Sequence, residues 1–497
     1  SAISGKVSDA AGESLVGATI IAVHTATGST YGTTTDLSGN YRIANMRVGT
    51  YNIKVSYTGF GAKQLENVYL RLGEAQRLNF ELEETAAELE TIVVSAVQGT
   101  SGQNSGASTQ ITSENIDVMP TLNRNIDDYV RLTPQVNLYG GGGISVAGTN
   151  NRYNAIYIDG AVNNDVFGLA SQGTNGGQTG IAPFSIDIID QFQVVLSPYD
   201  VTLGGFAGGG INAVTKSGTN EIQGTAYYYL RNAGMIGKTN TTITDRFGTE
   251  RSEVPEFSEN LYGFSLGGPI VKDKVFFFVN AEIRQDETPN PYNIAQYTDG
   301  ASGEAELNNL RNVLINQYGY DPGTFGQDVT DELNGTSLFG KVDFNLSDNH
   351  KLTLRHQYTK AENIGRNVGD NNDIQFSNNG VFFPSTTNST AIELNSTFGT
   401  KASNNLIIGY TTVRDERDPI EKDFPYVTIF DGNGRIRLGS EQFSTANQLD
   451  QDIFTITDNF KIYSGDHTYT IGTHNEFYSI YNLFIRQNFG VYEFDDL

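Results

Sequence analysis

The chain has 497 residues, no cysteine and a formal net charge of −25. A chain this acidic is repelled by phosphate backbones, which argues against a nucleic-acid partner, and the lack of cysteine excludes disulfides, thiol catalysis and Cys-metal sites. No run of 18 apolar residues occurs and mean hydropathy is −0.34, so no helical membrane span is expected; a β-barrel stays allowed, because only alternate residues of its strands need be apolar.

Residues 1–84 read as a small all-β domain. Strands are predicted near 2–8, 17–24, 31–35, 40–44, 50–57, 65–71 and 75–82, separated by Gly, Asn and Asp turns. Seven short strands at this spacing predict a seven-stranded β-sandwich. Residues 85–110 read as a linker. Glu81, Glu83, Glu84, Glu88 and Glu90 make its start acidic, and Gly99 to Ser108 is small and polar, hence flexible. In its middle lies an apolar patch, Leu89-Glu90-Thr91-Ile92-Val93-Val94-Ser95-Ala96, with strong β propensity and no partner near it in sequence. It is either an ordinary edge strand or a segment kept extended for a partner that pairs by strand addition.

Residues 111–222 form a Gly-rich α/β region. Ser113 and Asn123 are candidate helix N-caps. Apolar strands are predicted at Ala155–Ile158, Ile189–Leu196 and Ile211–Thr215, with glycines clustered at 140–143 and 204–210. A phosphate-cradling loop is a weak reading of those glycines, since no Gly-Lys-Ser/Thr follows them.

Residues 223–497 alternate. Strands are predicted near 224–232, 258–268, 274–285, 336–346, 350–360, 389–399, 404–414, 450–462 and 467–480. Short connectors (269–273, 347–349, 400–403, 463–466) take turns with long ones (233–257, 286–335, 361–388, 415–449). That asymmetry belongs to outer-membrane barrels, which have tight turns at one end and extended loops at the other. The faces agree. Val275, Phe277, Val279, Ala281 and Ile283 share one side of their strand, and Lys274, Asn280, Glu282 and Arg284 share the other. Such a charged face can line a wet lumen but would cost roughly 2–4 kcal/mol per midplane Lys or Arg in lipid.

Catalytic chemistry finds no support. The five histidines, His24, His350, His356, His467 and His474, form no His-Glu-x-x-His pair, and the carboxylates fall in no motif. No catalytic residue, cofactor or metal site is assigned, and the chain is read as a non-enzyme. The stretches Gly369–Asp373 and Asp431–Gly434 do not follow an EF-hand loop and are expected to be solvated external loops.

Several stretches resemble a TonB-dependent outer-membrane receptor. Glu90-Thr91-Ile92-Val93-Val94-Ser95 looks like a Ton box. Tyr157-Ile158-Asp159-Gly160 and the run from Ser185 to Lys216 look like the two halves of a plug domain. Residues 1–84 look like a carboxypeptidase-regulatory-like domain, an extension frequent in Bacteroidetes receptors. Gly267-Gly268-Pro269-Ile270-Val271-Lys272-Asp273-Lys274, followed by Val275-Phe276-Phe277-Phe278, is similar to the early barrel of the Oar-like branch.

The resemblance implies a plug at 111–222 inside a barrel that the family builds from 22 strands, a size known for plugged transporters. Nine strands are too few and odd in number, so the barrel is expected to continue beyond this sequence. It implies active import of a large solute such as a glycan or peptide, with Glu90, Thr91, Ile92, Val93, Val94 and Ser95 pairing with TonB, itself driven by inner-membrane energising proteins. It places the protein in the lipid of a Gram-negative outer membrane, with the N-terminal domain in the periplasm. Plug-apex candidates for substrate contact are Tyr139, Asn163, Asn164, Asp165 and Phe167, which are otherwise plain turn residues. A SusD-like or other surface lipoprotein is a further candidate partner, and no residue here selects one. A polar, Gly-rich plug is expected to be held by many hydrogen bonds rather than one apolar core. The alternative is a passive porin or a surface-binding or structural outer-membrane protein, alone or within a larger assembly, which would need neither Ton box nor plug.

Overall fold

The structure is a computed structural model and describes residues 1–85, 92–95, 106–121, 124–139, 143–182, 184–198, 200–238, 251, 253–290, 292–326, 329–367, 369–421, 424–465 and 467–497. Glu90 and Thr91 of the Ton-box reading, Asn123 and most of the expected linker lie outside the described residues.

The N-terminal domain is a sandwich. One sheet joins Ala2–Asp9 to Asn40–Ile43, Ala75–Arg77 and Phe80–Leu82; the last two replace the single strand expected over 75–82. The other runs Thr30–Thr34, Thr19–His24, Gly49–Ser56, Lys63–Leu70 and, outermost, Ile92–Ser95. Inward residues of both sheets, among them Ile3, Val7, Ile20, Tyr51, Ile53 and Leu70, close its core. The patch that had no partner near it in sequence therefore has one in space.

The plug is a five-stranded sheet ordered Gly106–Thr112, Ile189–Pro198, Gly210–Thr215, Ala155–Ile158, Ala161–Val162. Helix Ser113–Val118 is capped by Thr112, whose hydroxyl meets Asn115 Oδ1 at 2.9 Å, and helix Ile126–Val130 by Asn125, which accepts from the Asp128 amide at 3.2 Å. The cap at the first helix therefore falls one residue before the expected Ser113. The expectation of a plug without an apolar core fails. Ile111, Tyr129, Ile144, Ile156, Phe192, Ile211 and others form one, and it continues onto Phe278 and Phe339 of the surrounding wall. Alternation is weak in these strands because they are buried on both faces, as parallel and mixed sheets often are.

The wall consists of nine strands, each antiparallel to the next: Gln223–Asn232, Ser258–Val271, Val275–Pro289, Thr330–Asn345, His350–Gly365, Val381–Phe398, Ala402–Pro419, Asn447–Ser464 and His467–Leu483. It is an open, curved sheet among the described residues; its first and last strands do not pair. Most strands run 14–18 residues, longer than a bilayer needs, and the excess extends at the long-loop end. Alternation holds residue by residue. Ser337, Phe339, Lys341 and Asp343 point inward and are buried, while Leu338 and Leu346 point outward and are exposed. On the next strand Thr353, Arg355, Gln357 and Thr359 are buried and Leu354 is exposed. Outward at the short-turn end, His350, Phe398 and Phe460 lie ring to ring at 6.1 and 6.2 Å, an interfacial aromatic row.

The long loops are not simply solvated. Residues 292–326, 373–376, 424–438 and 491–494 fold together into an external cap. Helix Glu304–Tyr318 packs on a sheet ordered Asp373–Gln375, Gly434–Leu438, Tyr426–Asp431, Val491–Phe494. The helix starts where Glu306 accepts from the Gly303 amide at 3.0 Å and ends at Gly319, with φ 65°. Leu307, Ile374, Phe376 and Ile436 are fully buried between helix and sheet, and Tyr320 stacks on Phe424 at 3.8 Å. The aspartates expected to be solvated are ligands of this packing. Asp373 pairs with Arg435 and Arg437 at 3.1 and 3.3 Å, and Asp431 accepts from Ala301, Ser302 and the Ser302 hydroxyl.

Candidate functional site

The plug is latched to the wall at Asp159. Asp159 and Gly160 have φ 47° and 75°, the left-handed pair of a tight Asp-Gly hairpin between Ala155–Ile158 and Ala161–Val162. That turn pushes the carboxylate out of the sheet. Its oxygens accept from the Thr215 amide at 2.8 Å and the Thr215 hydroxyl at 2.6 Å. From the wall, Lys341 Nζ lies 3.5 Å and Arg355 Nε 3.6 Å from Asp159 Oδ2. Lys341 also donates to the Thr215 carbonyl and hydroxyl at 3.2 and 2.9 Å, and Arg355 Nη2 donates to the Ile158 carbonyl at 2.9 Å. All four side chains are buried. One plug carboxylate thus faces two wall cations away from solvent, an arrangement that is costly to leave half-made.

Lesser contacts flank the latch. Farther from the short turns than the latch, Arg124 Nη2 donates to both oxygens of Asp187 at 3.0 Å while the guanidinium lies 4.4 Å over the Tyr229 ring of the wall. Ser185 and Tyr227 both donate to Glu282, at 2.7 and 2.6 Å. Toward the long loops, Gln178 donates to Asp415 at 2.8 Å and Asn363 to the Thr179 carbonyl at 2.9 Å. The apolar part of the interface is Ala161 against Ala391 and Ile407, together with Phe278 and Phe339, onto which the plug core continues. Hydrogen bonds and charges join plug to wall at the latch and around it. Within the plug, burial and the neighbouring Asp128 push Asp127 up to about 7, against a 3.2 Å hydrogen bond from Gln172.

Four of the plug-apex candidates lie together and the fifth stands apart. Asn163, Asn164 and Asp165 make one turn. Asn164 accepts from the Ile156 amide at 2.7 Å, and Asp165 accepts from the Phe167 and Ala170 amides at 3.2 and 2.6 Å. Asn163 is buried, and Phe167 is partly exposed. Tyr139 ends the separate hairpin Val136–Tyr139/Gly143–Val146. The wall partners of Asp159 escaped the sequence reading. Alternation places Lys341 and Arg355 on the wet face, but nothing local says which plug residue they meet.

The N-terminal domain sits at the short-turn end of the wall. Arg47 reaches Asp343 at 2.6 Å, and Asn345 donates to Ser29 at 2.8 Å. Inside this domain His24 stacks edge-on to Tyr51 at 5.0 Å and contacts Thr27 Oγ1 at 2.9 Å and the Val48 carbonyl at 3.2 Å. Burial, then Arg47, lower its pKa to about 4. The strand Ile92–Ser95 runs parallel to Lys63–Glu66, with Lys63 opposite Ile92, Gln64 opposite Val93, Leu65 opposite Val94 and Glu66 opposite Ser95.

Three family models match in this order: a carboxypeptidase regulatory-like domain over 2–83, a TonB-dependent receptor plug domain over 101–211, and an outer membrane beta barrel domain over 214–325. With a stopper latched inside a lipid-facing wall, these three matches give the chain the domain order of a TonB-dependent outer-membrane receptor. More particularly, it is similar to the TonB-dependent transporter Oar of Myxococcus xanthus, 27% identical over 257 residues, which are 49% of this chain and 23% of that protein. It is also similar to the probable TonB-dependent siderophore receptor PirA of Acinetobacter baumannii, 28% identical over 43% of this chain and 27% of that one. The chain thus matches about a quarter of the length of these relatives. In fold it is like the outer membrane transporter YddB of Escherichia coli, with 18% identity, TM-score 0.52, and coverage of 75% of this chain and 48% of that one. A variant of the ferric enterobactin receptor PfeA of Pseudomonas aeruginosa gives 16% identity, TM-score 0.51, and coverage of 75% and 49%. The protein is localised to the outer membrane of a Gram-negative bacterium.

Proposed function

We propose that this chain is the entry portion of a non-enzymatic importer. A solute binds outside on the cap and plug apex, TonB takes hold of residues 90–95 in the periplasm, and the pull frees the plug from the wall so that the solute passes. The observation that carries this reading is the Asp159–Lys341–Arg355 latch, a polar attachment of a separately folded stopper. Polar contacts suit a part that must let go, because water can replace each hydrogen bond as it breaks. A passive pore has no use for such a stopper. Asn163, Asn164, Asp165 and Phe167 cluster around one turn of the plug, which supports their reading as an apex contact surface; Tyr139, on its own hairpin, is kept as a further candidate.

The solute is proposed to be large, a glycan or peptide. The cap's helix-on-sheet body supports a broad recognition surface, and a chain of net charge −25 is a poor receptor for anionic solutes. The coupling assignment is tested with purified TonB periplasmic domain. Val93→Pro removes a backbone donor from the pairing segment and is expected to weaken binding at least ten-fold, while receptor assembly in the membrane is unchanged. Unaltered binding would refute the assignment. The solute class is tested by growth of a deletion strain on glycan, peptide and iron-chelate sources; a defect confined to iron chelates would overturn the large-solute reading.

A further inference from the structure

We propose that the N-terminal domain is a force-transmitting arm: its edge Lys63–Glu66 holds the coupling segment as a fifth strand, and the far end of the same strand grips the plug. The proposal rests on the reading that residues 90–95 are the coupling segment.

Two independent sets of contacts meet on strand Lys63–Leu70. At its start, residues 63–66 pair with Ile92–Ser95, which is the outermost strand of its sheet and keeps one edge unpaired among the described residues. Among the described residues the pairing runs as far as Glu66. Asn67 follows with φ 59°, and its amide donates to Asn52 Oδ1 at 3.2 Å, so this strand leaves the extended path there. At its other end the strand meets the plug. Tyr69 accepts from Gln191 Nε2 at 2.8 Å, the Leu72 amide donates to Gln191 Oε1 at 3.0 Å, and the Leu72 carbonyl accepts from Gln110 at 2.7 Å. Gln110 and Gln191 belong to the first two strands of the plug sheet, which pair with each other. Gln191 is only 2% exposed, so this contact is seated.

Two routes run from the coupling segment to the plug. The covalent one, from Ser95 to Gly106, has eleven residue steps, a reach of up to ~38 Å when fully extended. The route through strand 63–70 consists of formed hydrogen bonds and is loaded at once. The partner's strand adds to the free edge of 92–95, which is already extended, so less ordering entropy is lost on binding. The result is one continuous sheet from partner to domain, with Tyr69 and Leu72 delivering the pull to Gln110 and Gln191.

The chain has no cysteine, so an introduced pair is the only one among these residues. In the full receptor in its membrane, the pair Gln64→Cys with Val93→Cys should cross-link at least ten-fold faster than Lys54→Cys with Val93→Cys, because Lys54 lies one strand further in. Equal rates would overturn the docked strand. The cross-linked receptor should bind purified TonB periplasmic domain within two-fold of its reduced form. A ten-fold loss that reductant restores would show that docking hides the segment and overturn the arm. Tyr69→Phe with Gln110→Ala should leave TonB-domain binding intact yet slow maleimide labelling of a reporter at Ala161→Cys in energised cells at least five-fold; unchanged labelling would overturn transmission through the domain. Deletion of 89–96 without loss of TonB-domain binding would overturn the coupling assignment itself, and it is told apart from failure of the arm because the cross-linking rates are read without TonB.

Discussion

Removing the charge of Asp159 should loosen the plug while leaving the wall standing. Lys341 Nζ is 3.5 Å from the carboxylate, and both groups are buried. At an effective dielectric constant of ~20, their attraction is about 5 kcal/mol before desolvation is counted. Desolvation returns much of that, so a double-mutant cycle between Asp159→Asn and Lys341→Met should show a coupling of about 1–3 kcal/mol. The single change Asp159→Asn should cost about 3 kcal/mol, because two buried cations lose their counter-charge and the Thr215 hydroxyl loses an anionic acceptor. Three kcal/mol is roughly a hundred-fold in an opening equilibrium. Amide hydrogen exchange reads it directly: strands Ala155–Ile158 and Gly210–Thr215 should exchange about a hundred-fold faster, and wall strand His350–Gly365 should be unchanged. If the two substitutions add to within about 0.5 kcal/mol, or if plug and wall lose protection together, the latch is not what holds the stopper.

The N-terminal domain should weaken in acid. His24 titrates near 6.5 when unfolded and about 4 when folded, so its contribution is whole above pH 6.5 and is lost as pH falls toward 4; it amounts to roughly 3 kcal/mol at most. Exchange of strand Thr19–His24 between pH 7 and 4 measures this, and His24→Gln should flatten the slope. Asp127 has the opposite sign. Its folded pKa of about 7 lies above the unfolded value of 3.8, so plug stability is greatest below pH 3.8 and falls as pH rises toward 7, by up to about 4 kcal/mol. Asp127→Asn should abolish that dependence in plug exchange rates. Leu307→Ala, at a fully buried position of the cap, should cost about 2–5 kcal/mol and open the external cap to limited proteolysis while the wall stays folded.

Where physics is local, the sequence was a good guide. Val275, Phe277 and Val279 against Phe278, Asn280 and Glu282 announce a wall strand through period two alone, and all nine wall strands lie where that pattern put them. Their ends did not, because strands that rise past the membrane no longer need an apolar outer face. Non-local pairings were hidden. Ile92–Ser95 joins a strand nearly 30 residues earlier with no hairpin turn to advertise it. In the cap, Asp373–Gln375 pairs with residues 435–437, and Tyr426–Ile429 with 491–494. Helix Glu304–Tyr318 did leave a trace. Leu307, Leu310 and Leu314 fall on one face, with Gly319 just past the end, but the polar stretch around them masked the period. The latch was half legible: an Asp-Gly turn predicts where the carboxylate projects, while its cations come from strands 180 residues away or more.

The cap draws its core from residues that leave the wall at three separate places, 292–325, 374–376 and 424–438, and its sheet takes an edge strand from a fourth, 491–494. Loops bound into one body cannot be exchanged one at a time. A loop grafted from a related receptor would bring side chains shaped for a different neighbour, and the receiving core would have to give way. Selectivity in such a receptor is therefore inherited as a block, and evolution would retune it by small changes spread over the shared surface.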